Sequence, residues 1–204
     1  MSFLADLQSC ALARWSPGIG DPTAMGWGTV MVYLAAAAVA FVVASRAPFP
    51  AGSRRRERLF WALLAAVLLA LAVNKQLDLQ SYVTALGRCA AQHQGWYDRR
   101  RFVQEMVILG LLVVMVLLAV GLWRMMRGTL ARSGAALAGL ILVLGFVAIR
   151  AVGFHHVDAL IRLDVLDMRL NWLFELTGPV LIGLAGLWLL LRKSVKYPDP
   201  EKPR

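Results

Sequence analysis

"FVQEMVILGLLVVMVLLAVGLW", Phe102 to Trp123, decides what kind of protein this is. From Met106 to Trp123 there are 18 consecutive residues without a charge, an amide or a hydroxyl. A helix rises about 1.5 Å per residue, so about 20 apolar residues cross a hydrocarbon core of roughly 30 Å. Outward from this run lie four more: Met25–Ser45, Leu59–Val73, Ala135–Ile149 and Trp172–Leu191. The second and fourth runs of the chain are shorter, but helical ends and snorkelling Arg and Lys side chains extend them. The chain has 204 residues, is 59% hydrophobic and has a mean hydropathy of +0.64. We expect an all-α fold, a polytopic membrane helix bundle with five transmembrane helices and amphipathic helices on its outer face. One integral-membrane domain fills residues 1–204, with spans at about 25–45, 59–75, 102–124, 134–152 and 171–192 and a flexible tail over 194–204. The opening "MSFLADLQSCALARW" has no basic region ahead of Arg14, so it does not read as a secretory signal.

The net charge of +10 invites a nucleic-acid reading, but its distribution gives another cause. With five spans, one side receives Arg46–Arg58, Arg124–Arg132 and the tail from Arg192. That side holds 13 Lys/Arg and 3 acids, which is the whole excess; the other side holds nine of each. Basic loops mark the cytoplasmic face, so the N-terminus is expected outside and the C-terminus inside a bacterial inner membrane. No nucleic-acid partner is needed. Trp61, Trp123 and Trp188 fall near the inner span ends, and Trp15, Trp27, Trp96 and Trp172 near the outer ones, as an interfacial aromatic belt would have them. Membrane lipid is the expected partner, and "RRRER", Arg54–Arg58, attracts anionic headgroups at about 1 kcal/mol per basic residue. A protein partner or a homo-oligomer stays open.

Both cysteines, Cys10 and Cys89, fall on the outer side, where disulfides are permitted. Two readings stand: a Cys10–Cys89 bridge, or two small residues packed separately. Without a C-x-x-C spacing, a structural zinc or iron–sulfur site is not indicated.

The outer connections carry the polar information. In Asn74–Arg101, Leu79, Tyr82, Val83, Leu86 and Ala90 recur at helical spacing, which predicts an interfacial amphipathic helix ending near Gly95. In Gly153–Pro179, Asp164, Asp167, Asn171 and Glu175 step by three, four and four residues, which predicts one helical stripe entering the fifth span. Gly178-Pro179 then offers a kink. "IRAVGFHHVD", Ile149–Asp158, closes the fourth span with Arg150 and continues into His155, His156 and Asp158.

Ionisable groups near membrane depth are expensive and face one another or a cavity. Lys75, Glu105, Arg150 and Glu175 are expected at similar depth, as an ion-pair network that fixes packing, a functional pocket, or separate snorkelling side chains. The ligand-binding candidates are Asn74, Lys75, Asp78, Glu105, Arg150, His155, His156, Asp158, Asn171 and Glu175. As acid–base catalysts the candidates are Glu105, Glu175 and Asp78, because partial desolvation raises a carboxyl pKa unless a cation offsets it. For a metal ion the candidates are His155, Asp158 and His93. Asp78 and His93 are about 22 Å apart along a straight helix and meet only if the chain bends, for example at Gly87. Neither H-E-x-x-H nor H-x-x-x-H occurs.

The combination of "GDPTAMGW", "NKQLDLQ", "QGWYDRRR" and "FHHVD…RLNWLFELTG" resembles a group of small multispanning bacterial membrane proteins, over most of the chain. Some of these carry the label isopropylmalate isomerase. That label implies an iron–sulfur cluster held by three cysteines, and this chain has two. The resemblance implies class rather than activity. The expected function is an inner-membrane protein with a polar pocket at its outer face for a lipid, small ligand or partner. The alternative is a membrane-embedded hydrolase, with or without metal, acting on a lipidic substrate there.

Overall fold

A computed structural model describes residues 3–16, 18–152, 164–165 and 168–192. A short helix, α1 (Phe3–Leu12), precedes the first long one, α2 (Ala24–Arg46). Next come α3 (Arg54–Leu77) and α4 (Leu79–His93), separated only by Asp78. A single 3-10 turn, Tyr97–Arg99, leads into α5 (Arg100–Met125), followed by α6 (Leu130–Val152) and α7 (Leu170–Leu191). Five of these helices, α2, α3, α5, α6 and α7, are long and apolar enough to cross a membrane. The all-α bundle is therefore the fold, and each apolar run gains a few helical residues at its polar ends.

Local chemistry sets the helix ends. The Thr23 hydroxyl accepts from the Gly26 amide at 3.0 Å and so caps α2. Its far end is set by Pro48, which disfavours helical backbone at Ala47; Ala47 is extended, with φ −65° and ψ 137°. Asp78 takes the left-handed conformation, φ 47° and ψ 46°, which aspartate tolerates better than most residues and which turns α3 into α4.

In the core, α2 packs against both α3 and α7, and α7 packs against α6. Lipid tails are as apolar as leucine, so helices in a bilayer associate through close backbone approach rather than through hydrophobic contrast. Small residues provide that approach here. Ala36, Ala37 and Ala40 are buried on α2, Gly183 faces Ala36, and Gly186 lies against Val39 and Trp61. By contrast, α5 makes its main helix–helix contact with α6, and no described residue in its most apolar stretch is buried.

Two expectations are corrected. Trp61 is not an interfacial anchor: it is fully buried, and its indole N–H donates to Ser133 Oγ at 3.3 Å. The helical stripe from Asp164 to Glu175 does not form as one helix. Asp164–Val165 pairs antiparallel with Met168–Arg169, and the helix begins only at Leu170. Helical spacing is necessary for such a stripe, but the backbone hydrogen bonds decide it.

Candidate functional site

One end of the bundle gathers the C-terminus of α3, the N-terminal part of α7 and the turn before α2. Lys75, in the last turn of α3, reaches Glu175 on α7: Nζ lies 3.2 Å from Oε2. The same ammonium lies 3.5 Å from Asp21 Oδ2. Glu175 is 5% exposed and the Lys75 side chain 10%, so this is a pair largely removed from solvent, not a surface contact. Burial of two charges is costly unless they pair, and the three-way arrangement satisfies both partners. Pro179, four residues after Glu175, has no N–H to offer the Glu175 carbonyl, although α7 continues through it.

Asp21 is held from its own side as well. Its Oδ1 accepts from the Thr23 hydroxyl at 2.6 Å. That hydrogen bond, more than the attraction of Lys75, keeps the Asp21 carboxyl below its ordinary value despite partial burial. Gly26 is required beneath it, because a Cβ there would stand 2.4 Å from the Asp21 carboxyl carbon. The turn is also tied to α3: the Gly20 amide donates to the Gln76 carbonyl at 2.6 Å, and a Cβ on Gly20 would stand 2.9 Å from that of Asp78.

Tyr33, Asn74, Lys75, Asp78, Phe146 and Glu175 line a cavity here of about 50 Å³. That is room for a few water molecules or a small polar group, and far below the several hundred Å³ of an ordinary small-molecule site.

Two short helices that pack on each other, α1 and α4, adjoin this end. Cys10 on α1 and Cys89 on α4 are joined by a disulfide, with Cα atoms 6.1 Å apart. Arg14 donates to Gln92 at 2.8 Å, and Trp15 lies on Tyr82 with centroids 4.8 Å apart. Helix α4 is the amphipathic helix expected over this segment. Helix α1 was not anticipated from the sequence, although Phe3, Leu7 and Ala11 repeat every four residues.

The other sequence candidates divide clearly. Lys75, Glu175, Asn74 and Asp78 are brought together. Glu105 is exposed on α5 and makes no ion pair among the described residues. Arg150 falls in the last turn of α6 and Asn171 in the first turn of α7; only their backbone is described. His155, His156 and Asp158 lie outside the described residues. His93 meets Phe3 edge to face at 5.9 Å, and α4 runs unbroken past Gly87, leaving Asp78 and His93 at opposite ends. Among the described residues no three His, Cys, Asp or Glu side chains are grouped so that they could hold a metal ion.

A second polar cluster, at the other end of the bundle, escaped the sequence reading. Glu57, in the first turn of α3, is fully buried. Its Oε1 accepts from Arg132 Nη2 at 2.6 Å and Ser53 Oγ at 2.7 Å. Its Oε2 accepts from Arg132 Nε at 3.3 Å and Ser133 Oγ at 3.4 Å. This forked arginine–carboxylate pair ties α3 to the start of α6. The available signal was Glu57 itself, the single acid in an otherwise basic loop.

No family model, no curated protein and no solved structure matches the chain.

Proposed function

We propose that this is a multispanning inner-membrane protein, N-terminus outside and C-terminus in the cytoplasm, whose outer end binds a small ammonium-bearing group, such as the headgroup of phosphatidylethanolamine. Two independent features support the orientation. The described residues of the basic excess cluster at the Glu57 end, and the disulfide lies at the opposite end, where an oxidising compartment would be.

One observation carries the ligand assignment. Among the described residues, Asp21, Asp78 and Glu175 flank or line the polar cavity, and Lys75 is the one cation beside them. An added ammonium would be attracted there and would find carboxylate acceptors. The cavity has room for the ammonium end of such a headgroup but not for its phosphate or an acyl chain, so the rest of the lipid would remain outside it.

The test is native mass spectrometry of purified protein from nanodiscs containing equal phosphatidylethanolamine and phosphatidylcholine. We expect selective retention of phosphatidylethanolamine, lost in Asn74→Leu, which fills the cavity without touching the ion pairs. Equal retention of both lipids, or unchanged selectivity in Asn74→Leu, would remove the assignment. A reporter fused to the C-terminus tests the topology separately, and an external signal would reverse it.

A further inference from the structure

At the Glu57 end the arginines outnumber anything that neutralises them. Glu57 is the one acid among the described residues there, and Arg132 with two serines saturates it. Arg54, Arg55, Arg56, Arg58, Arg124 and Arg127 remain exposed. Several are nonetheless held in place. Arg56 Nη1 donates to the Met125 carbonyl at the C-terminus of α5, at 3.3 Å. The Arg127 guanidinium stacks on the Trp123 ring, 4.3 Å from its centroid. Arg56 on α3 and Arg127 beyond α5 thus converge on one helix end, each with donors left over, since a guanidinium carries five.

Below these heads the walls are apolar and open. Leu59 and Leu63 follow Arg56 at three and seven residues, on one stripe of α3, and are 61% and 43% exposed. Leu117 and Val120 of α5, a turn or two from Trp123, are exposed as well. Because α5 stands off the core, its apolar length is available to chains rather than to helices.

We propose that Arg56 and Arg127 form the headgroup end of a binding site for an anionic phospholipid, whose acyl chains lie along α5 and the Leu59–Leu63 stripe. Charge complementarity selects the occupant: fixed guanidinia with spare donors match a phosphodiester, and Trp123 sits at the matching interfacial depth. The site is at the opposite end from the one described under the proposed function and does not depend on it.

The experiment titrates detergent-purified, full-length protein with phosphatidylglycerol or phosphatidylcholine of identical chains, and reads bound lipid by native mass spectrometry. The expected result is a preference for phosphatidylglycerol on the order of tenfold, reduced to parity in Arg56→Gln/Arg127→Gln. Arg88→Gln, at an exposed arginine on α4, should keep the preference. Equal binding of the two lipids by the unmodified protein would overturn the proposal without any variant, as would an equal loss in Arg88→Gln. Displacement of phosphatidylglycerol by millimolar inorganic phosphate would also overturn it, since the site would then take a bare anion. If the double glutamine variant fails to fold, Arg56→Lys/Arg127→Lys keeps the charge and should lower the preference severalfold; an unchanged preference would count against the fork geometry.

Discussion

Gly139 on α6 and Gly178 on α7 face each other so closely that a Cβ on Gly178 would stand 2.8 Å from the Gly139 carbonyl, and one on Gly139 would stand 2.9 Å from the Gly178 carbonyl. Neither backbone can retreat without separating the two helices. Gly139→Ala and Gly178→Ala should each lower stability by about 1–3 kcal/mol, the usual cost of overpacking a close contact. Because they press on the same crossing, the double variant should cost less than the sum of the two. Steric-trap or denaturant unfolding in mixed micelles measures both values.

Arg132 and Glu57 should be strongly coupled. Removing the arginine leaves a fully buried carboxylate with only the serines as donors. Arg132→Met should therefore cost about 3 kcal/mol, the low end for a broken buried pair because the arginine is partly exposed. Adding Glu57→Gln to it should recover part of the loss. A double variant as unstable as the sum of the singles would show that the pair is not coupled.

Asp21 predicts an acid limb. Its carboxyl pKa lies below the ordinary 3.8, chiefly through the Thr23 hydroxyl, so ionised Asp21 favours the folded state above the unfolded-state pKa. That contribution falls away as pH drops below about 4 and through the folded-state value. Asp21→Asn should flatten stability against pH in this range and change its slope little between pH 6 and 8. Melting temperature followed by tryptophan fluorescence from pH 7 to pH 2 reads the difference.

The α1–α4 pair should loosen when the disulfide opens. Cys10→Ser/Cys89→Ser leaves the Phe3–His93 contact, Arg14–Gln92 and the Trp15–Tyr82 contact as links between the N-terminal segment and α4. Amide exchange in α1 should rise at least tenfold, while exchange in α2 and α7 stays unchanged. Protection of α1 that is insensitive to the double variant would show that packing alone holds it.

What could be read from the residues, and what could not, follows the physics of each signal. The five spans were visible because an apolar run of such length has no other stable setting. Lys75 and Glu175 were matched by depth alone, since both lie just inside the polar end of a span. Asp21 was not, because nothing in a short glycine-rich turn shows that it folds back over α3. The Glu57–Arg132 pair was missed for a related reason. Basic loops were read as a topology signal, which accounts for their arginines collectively but says nothing about one acid among them. The stripe from Asp164 shows the opposite error, in which regular spacing suggested a helix where Asp164–Val165 pairs with Met168–Arg169 as strands.

The Cys10–Cys89 bond has one more consequence, for the order of assembly. Its 79-residue loop contains α2 and α3 and nothing of α5, α6 or α7. On the proposed topology, both sulfurs stand on the outer side of the bilayer as soon as residue 89 has crossed it, and the ring can close. The first helical hairpin can therefore be locked covalently while the last three spans are still being synthesised. On that order, Glu175 would be the last of the three charged partners to arrive, after Lys75 and Asp21 are already within one covalent ring.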